Sequence, residues 1–472
     1  MERYDLCVIG SGPAGQRAAV QAAKLGKRVA IVERREVVGG VAINTGTIPS
    51  KALREAVAHI TGAERPGVRG TGSRALNKDV TIEDLTYWCQ QVITNEIGVI
   101  RDQLLRNGID LITGSGAFVD SNTLEITHGS EKQTIGADFV LIATGTRPAR
   151  PEGVVFDSTH VVDADGVLNI SRLPRSMIVV GGGVIGTEYA SMLQALGVKV
   201  TLIEGRDKLL GFVDGEICEA LQYHLRQSGM TLRMNEKVVK VERVPAPAQS
   251  ASNGGELVEA TLESGKVLRS ETLLYAVGRQ GCTLELNLEA IGVQADNRGR
   301  ITVNKQYQTA VPHVYAAGDV IGFPALASTS MEQGRLAACH MFKYPSRTTP
   351  ELFPYGIYAI PEISMVGWTE EQLTEQDVPY ESGVAHYREI ARGQLVGDRI
   401  GMLKLLIHQE SRHVLGVHCL GTSATEIVHI GQAVMALNGT VDYFIDTVFN
   451  YPTFAECYKV AALNVVNKLI HV

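Results

Sequence analysis

Tyr4-Asp5-Leu6-Cys7-Val8-Ile9-Gly10-Ser11-Gly12-Pro13-Ala14-Gly15 is a short apolar run that breaks into a glycine turn. An amphipathic, alanine-rich stretch follows to Leu25, and a second apolar run from Arg28 to Val32 ends in Glu33. The order is strand, glycine turn, helix, strand, with an acid about 20 residues past the glycines. Gly10, Gly12 and Gly15, with Pro13 and Ala14 between them, permit a tight turn. They let backbone N–H groups meet a pyrophosphate at the positive end of a helix. Glu33 is placed to accept hydrogen bonds from ribose hydroxyls, and Arg34 beside it joins the candidate contacts. A lone GxGxxG is weak evidence. With both strands and the acid in register, it predicts a dinucleotide-binding unit.

The same grammar returns later in the chain. Ser176 to Val180 is β-branched and leads into Gly181-Gly182-Gly183-Val184-Ile185-Gly186, then Thr187-Glu188-Tyr189-Ala190 and an Ala/Leu-rich helix. The strand Val198 to Ile203 follows, and after it Glu204-Gly205-Arg206-Asp207-Lys208. Two dinucleotide folds in one chain imply hydride traffic between two bound cofactors. Glu204 sits where an acid bonds an adenosine ribose 2′-OH, which suits NAD(H), and a 2′-phosphate would meet it as a like charge. Arg206 and Lys208 point the other way, since they can reach round to pair with that phosphate. NAD(H) is therefore expected to fit, with NADP(H) left open.

Composition narrows the class. The 472 residues allow two to four domains, and 45% hydrophobic with 20% charged residues is ordinary for a globular chain. A net charge of −7 argues against nucleic acid as a partner. No apolar run reaches about 18 residues, so no membrane span is expected. The N-terminus enters a strand at once, which leaves no room for a signal peptide and predicts a cytoplasmic protein. Seven cysteines (Cys7, Cys89, Cys218, Cys282, Cys339, Cys419 and Cys457) form no CxxC pair and read as reduced thiols without chemistry, Cys457 being the least safe of them. The twelve histidines show no ligand spacing, so no metal is expected, and His418-Cys419 reads as part of a strand.

The segment Gly39 to Leu53, GGVAINTGTIPSKAL, resembles the redox-active stretch of the two-dinucleotide-fold flavoprotein disulfide reductases, the family of dihydrolipoamide dehydrogenase, glutathione reductase and mercuric reductase. There the pattern reads GGTCLNVGCIPSKAL. Here Ala42 and Thr47 stand at the two cysteine positions. The resemblance implies FAD at the first glycine turn and NAD or NADP at the second. It implies that Lys51 lies by the flavin and pairs with Glu188, and that Ala143-Thr144-Gly145 is a second FAD contact. It makes Gly278-Arg279 the close of the NAD(P) domain and Gly318-Asp319 the last FAD motif. Beyond about Tyr344 it implies an interface domain that forms a homodimer or larger homo-oligomer. In the family the tail reads HPTxxE, whose histidine and glutamate form an acid–base pair. This chain has Tyr451-Pro452-Thr453-Phe454-Ala455-Glu456, and tyrosine, with a pKa of about 10, does not shuttle protons at neutral pH as imidazole does. Dithiol and proton shuttle are missing together.

The expected fold is α/β: two Rossmann-like dinucleotide-binding domains, for FAD and NAD(P), plus a C-terminal α+β dimerisation domain. The boundaries are 1–155 and 282–346 for the FAD-binding domain, 156–281 for the NAD(P)-binding domain and 347–472 for the interface domain. Gly46 to Leu53 and Phe449 to Thr453 resemble the pyridine nucleotide transhydrogenase branch of the family, although that branch usually keeps a cysteine where Ala42 stands. The function implied is ping-pong hydride transfer between NADPH/NADP⁺ and NADH/NAD⁺ through FAD N5, without a redox disulfide. The alternatives are an NAD(P)H-dependent diaphorase or quinone reductase and, from another class, a catalytically idle flavin-bound subunit. Thr47 hydrogen-bonds the flavin or a water, or merely packs. Tyr451 and Glu456 hold site positions without a catalytic duty, bonded to each other or to the flavin edge. Local readings complete the picture. Ser50 is read as an N-cap ahead of a helix from Lys51 to Ile60, 62–75 as a loop, and Thr81 to Asn107 as a helix with Trp88 packed. Leu111 to Val119 and Asn122 to Ile126 read as antiparallel strands, and 245–255 as a hairpin tip.

Overall fold

The computed structural model describes residues 1–62, 82–246, 255–346 and 352–469. The chain divides into two compact units, one of Met1–Ala52, Thr86–Ala149 and Gly278–Pro350, the other of Leu53–Leu85, Arg150–Val277 and Glu351–Val472.

In the first unit the opening run becomes the strand Glu2–Ile9, flanked in parallel by Val29–Glu33 and Glu131–Ile142. Asp110–Thr113 extends the sheet beside Val29–Glu33, and Val314–Ala316 pairs in parallel with Glu131–Ile142. Two antiparallel strands, Thr123–His128 and Ser115–Asp120, complete it. The central strand is apolar at successive positions because both faces are covered. Leu6 and Val8 pack with Ala18, Ala22 and Leu141 on one side, Cys7 and Ile9 with Phe118 and Leu124 on the other. The expected strand from Leu111 to Val119 splits at Gly114: its first half joins the parallel side and its second half the antiparallel side.

The second unit repeats the arrangement. Ser176–Val180 lies between Lys199–Glu204 and Thr272–Tyr275, all parallel, with Thr231–Met234 and Val161–Asp163 outside them. Val238–Pro245 and Glu256–Leu262 pair as an antiparallel hairpin; residues 247–254 of its tip lie outside the described residues. A five-stranded antiparallel sheet built on Met402–His408 and Val414–Leu420 carries the helices Ala424–Ala436 and Glu456–Leu469, as the α+β reading expects. His418 and Cys419 are indeed neighbours in a strand.

Two local readings are corrected. The helix after the glycine pair starts at Thr47 rather than Lys51, with Ser50 inside it and donating from Oγ to Thr47 O at 3.2 Å. Pro49 is tolerated there because first-turn N–H groups lack intrahelical partners anyway. Trp88, on the helix Ile82–Arg106, is 53% exposed rather than packed. Most of the 62–75 loop reading falls on residues outside the described ones.

A lysine sits among the buried charges of the second unit. Lys404 occupies a strand position between Leu403 and Leu405 and is fully buried. Its Nζ lies 2.9 Å from Asp214 Oδ1, 3.0 Å from Glu216 Oε2 and 2.7 Å from Glu370 Oε2. Burial works against the charge, but hydrogen bonds to Asp214 and Glu370 outweigh it and raise the lysine's pKa. Lys404→Met leaves the buried Asp214 carboxylate uncompensated and is expected to cost about 3–5 kcal/mol in urea unfolding. Glu216→Gln, at the half-exposed member, should cost under about 1 kcal/mol. Equal losses in the two variants would contradict this division.

Candidate functional site

The first glycine turn is set by contacts that only glycine allows. Gly10 has φ of +107°, and a Cβ on it would collide with the Ala143 carbonyl. A Cβ on Gly15 would overlap the Gly10 carbonyl oxygen, so the helix Pro13–Lys24 docks directly on the turn. Gly12, the helix N-cap, has open space where a side chain would stand, and Pro13 fills the first helical position without needing its missing N–H. Glu33 is buried. Its Oε2 accepts from Ser11 N–H at 2.9 Å and Ser11 Oγ at 2.6 Å, and its Oε1 from Arg35 N–H at 3.0 Å. Arg34 is drawn to Glu285, 4.0 Å away.

The segment with the missing cysteines is built onto this turn. Gly39 N–H donates to Ser11 Oγ at 3.1 Å, and a Cβ on Gly40 would lie 2.9 Å from Gly12 Cα. Asn44 closes the short helix Gly40–Asn44 by donating to Val38 O and Gly40 O at 3.0 and 2.8 Å. Thr47 is exposed, and Lys51 Nζ donates to Ser50 Oγ at 3.2 Å.

The later motifs of the first unit converge on the same region. Asp319 Oδ2 accepts from Thr146 Oγ1 at 3.3 Å, which itself accepts from Arg279 Nε at 2.8 Å, while Arg279 also donates to Thr146 O at 2.9 Å. Gly318 N–H donates to Gln333 Oε1 at 2.8 Å, and a Cβ on Gly318 would meet Ala14 at 3.2 Å. Gly145 lies between Thr144 and Thr146, and Gly278 O accepts from Ala149 N–H at 3.0 Å. Burial raises the Asp319 pKa, with the Arg279 charge and the Thr146 hydrogen bond pulling the other way. The buried hydroxyls Thr45 Oγ1 and Thr144 Oγ1 have no hydrogen-bond partner among the described residues. Open space at Gly12, two unsatisfied hydroxyls and an acid at the second strand end fit a bound FAD.

In the second unit Gly181, at φ +105°, abuts the Ala276 carbonyl, and a Cβ on Gly186 would overlap the Gly181 carbonyl oxygen. Gly183 caps the helix Val184–Ala195 with open space beside it; Val184 and Ile185 make its first turn. Glu204 is buried and saturated. Its Oε2 accepts from Gly182 N–H at 2.6 Å and an Arg206 terminal nitrogen at 2.9 Å, and its Oε1 from Arg206 N–H at 3.0 Å and Nε at 2.9 Å. Burial alone would raise its pKa, but the Arg206 hydrogen bonds hold it below the usual value. Both cations after Glu204 are held in ion pairs: Arg206 Nε lies 2.9 Å from Glu204 Oε1, and Lys208 Nζ lies 3.1 Å from Glu371 Oε1.

Glu188 is buried, and its Oε1 accepts from Tyr358 N–H at 2.8 Å; Ser191 Oγ accepts from Ile360 N–H at 3.0 Å. The buried pair Arg54–Glu362, at 2.9 Å, anchors the same 358–362 segment. These supports carry no motif and escaped the sequence reading; the only signal was a charged residue at each of two otherwise core-like positions.

At the tail, Tyr451 is 73% exposed, and among the described residues it makes no hydrogen bond to Glu456. Glu456 opens the last helix with Oε2 buried and, among the described residues, without a hydrogen-bond partner. Cys457 is fully buried, and burial pushes its thiol up to about 12. The one acidic group with metal-like spacing among the described residues, Asp214, Glu216 and Glu370, surrounds the Lys404 ammonium instead.

Two glycine-turn nucleotide folds with an α+β C-terminal region define a pyridine-nucleotide flavoprotein. Residues 4–334 match the pyridine nucleotide-disulphide oxidoreductase family and 353–462 its dimerisation domain. The chain is 54% identical over 471 residues to the soluble pyridine nucleotide transhydrogenase of Mycobacterium bovis, covering 99% of this chain and 98% of that one. It is 45% identical over 471 residues to the protein of that name from Yersinia enterocolitica, with the same coverage. Among solved structures, LpdA from Mycobacterium tuberculosis superposes with a TM-score of 0.88 at 25% identity, covering 98% of this chain and 99% of that one. The HOCl-induced flavoprotein disulfide reductase RclA from Escherichia coli gives 0.86 at 26%, covering 98% and 100%. The chain belongs to the pyridine nucleotide-disulphide oxidoreductase family, alongside its soluble transhydrogenases and without a redox disulfide pair. It is an FAD-dependent oxidoreductase that takes nicotinamide nucleotides.

A thiol-free site predicts a labelling pattern. Among the cysteines only Cys282 is not buried, and burial pushes Cys7, Cys218 and Cys457 up to about 12. Iodoacetamide on the native protein should therefore modify Cys282 first, as read by peptide mass spectrometry, and leave flavin reduction by nicotinamide nucleotides unchanged. Early labelling of Cys457 together with loss of flavin reduction would contradict this.

Proposed function

We propose that this chain transfers hydride between NADPH/NADP⁺ and NADH/NAD⁺ in a ping-pong cycle in which both nucleotides use one site in turn. The observation that carries the reading is a pairing: both glycine turns are intact, while Ala42, Thr47 and Tyr451 replace the groups of disulfide chemistry. FAD, when bound, supplies a two-electron centre that accepts hydride from one nicotinamide and yields it to the other. The protein's work is binding and alignment. Gly10, Gly12 and Gly15 receive the FAD pyrophosphate on backbone N–H groups, Glu33 its ribose, and Asp319 with Thr144 the remaining polar edge. Gly181, Gly183 and Gly186 receive the nicotinamide nucleotide in the same way. Lys51 is the cation read as serving the flavin, and Glu188 has its carboxylate oriented by Tyr358 N–H. Hydride carries its own electron pair and leaves no thiolate to protonate, so Tyr451 and Glu456 hold no proton duty. The proposed domain boundaries are 1–155 with 282–346, 156–281 and 347–472, and the dimerisation-domain match over 353–462 supports a homodimer or larger homo-oligomer. No described helix is long and apolar enough to cross a membrane, and the cytoplasm is the proposed location.

Anaerobic stopped-flow absorbance of the flavin band tests the cycle. Reduction by NADPH followed by recovery on NAD⁺, and the same with the roles exchanged, is the expected result. Bleaching by NADH alone with recovery only on an added quinone would replace this reading by a diaphorase. No bleaching by either nucleotide would leave a flavin-bound subunit.

A further inference from the structure

A site that takes both nucleotides must tolerate a 2′-phosphate, and the charges after the strand Lys199–Glu204 do not supply an obvious receptor. Arg206 is neutralised by Glu204 and Lys208 by Glu371. The structure brings a third cation to the same place from a distant part of the chain. Asn235 N–H donates to Arg206 O at 3.0 Å and Glu236 N–H to Glu204 O at 3.1 Å, which ladders the turn after Thr231–Met234 onto residues 204–206. Lys237 follows immediately, and a Cβ on Gly205 would lie 3.5 Å from Lys237 Cγ and 3.7 Å from its Cε. Its side chain is exposed and runs along Gly205 between Glu204 and Arg206 in sequence. The neighbouring Glu236 carboxylate is occupied by Ser264 Oγ at 2.7 Å and Lys266 Nζ at 3.2 Å. Among the described residues no carboxylate pairs with the Lys237 ammonium.

We propose that Lys237 is the specificity-determining residue that reads the 2′-phosphate of NADP(H), while Arg206 is retained by Glu204 as a neutralising clamp. This rests on the reading above that a nicotinamide nucleotide lies over Gly181–Gly186 with its adenosine ribose at the end of Lys199–Glu204. The clamp offsets the repulsion that a bare Glu204 would exert on a phosphate, and Lys237 adds a positive charge that is in no ion pair among the described residues. NAD(H) needs no such partner, since its ribose offers hydroxyls alone. The absence of a side chain at Gly205 is what lets the lysine stem approach the ribose end of the site. Cofactor choice is thereby placed on a turn about 50 residues past the glycine motif, after the next strand, Thr231–Met234.

The test uses the FAD-loaded holoenzyme, whose first nucleotide site is already filled. Binding of adenosine 2′,5′-bisphosphate and of 5′-AMP is measured by calorimetry on the wild type, Lys237→Gln and Lys237→Arg. The expected result is a loss of about tenfold for the bisphosphate with Lys237→Gln, a change of less than about twofold for 5′-AMP, and recovery with Lys237→Arg. In flavin reduction, the same glutamine variant should raise the NADPH concentration at half-maximal rate without lowering the limiting rate. Equal weakening of both ligands, or an unchanged bisphosphate affinity, would overturn the assignment. Failure of the transhydrogenase reading would show separately, as a wild type whose reduced flavin is not reoxidised by the second nucleotide although the bisphosphate still binds and still depends on Lys237.

Discussion

The close approach of two backbones at each glycine turn is the constraint from which the rest of this protein follows. At Gly15 against Gly10, and again at Gly186 against Gly181, even one methyl group would overlap a carbonyl oxygen. The helix can therefore start flush on the end of the central strand, which aims its N–H groups at a ligand phosphate. In both units the acid at the end of the second strand then braces the turn. Glu33 accepts from Ser11 N–H, and Glu204 from Gly182 N–H, the residue after the first glycine in each case. The acid commonly assigned to ribose recognition is thus also part of the turn's own scaffold. In the second unit that scaffold takes every strong acceptor position the carboxylate has.

Much of this was legible because nucleotide turns are local. Their glycines, strands and acids sit within one short stretch, and the steric reason for each residue type lies in its immediate neighbours. The chemistry that is missing was equally legible: an alanine, a threonine and a tyrosine at three positions exclude a dithiol and an imidazole outright. What escaped depends on contacts between distant residues. Lys404 sits in a run of otherwise apolar strand residues and reads as an outlier until Asp214, Glu216 and Glu370 are seen around it. Lys208 looked available until Glu371, far along the chain, took it. The helix start moved to Thr47 because Pro49 is a first-turn residue as readily as a helix breaker.

Buried charge in the second unit is used in a consistent way. Arg54 with Glu362, and Lys404 with its carboxylates, join elements through ion pairs that only one arrangement of the chain can satisfy. Such pairs add little net stability over a well-packed apolar core, but breaking one leaves an uncompensated charge, so they penalise alternatives steeply. The 358–362 segment receives this treatment just where its backbone orients Glu188. Precision at that carboxylate is thus secured by residues that never appear in a nucleotide-binding pattern.

Ala42 and Thr47 have a consequence for the protein's durability. A reductase that works through a pair of thiols carries, at its most reactive point, atoms that peroxide and hypochlorous acid convert stepwise to sulfenic, sulfinic and sulfonic acids. Here those positions hold a methyl group and a hydroxyl, and six of the seven cysteines are buried. An oxidant that reaches these two positions finds no thiol to convert.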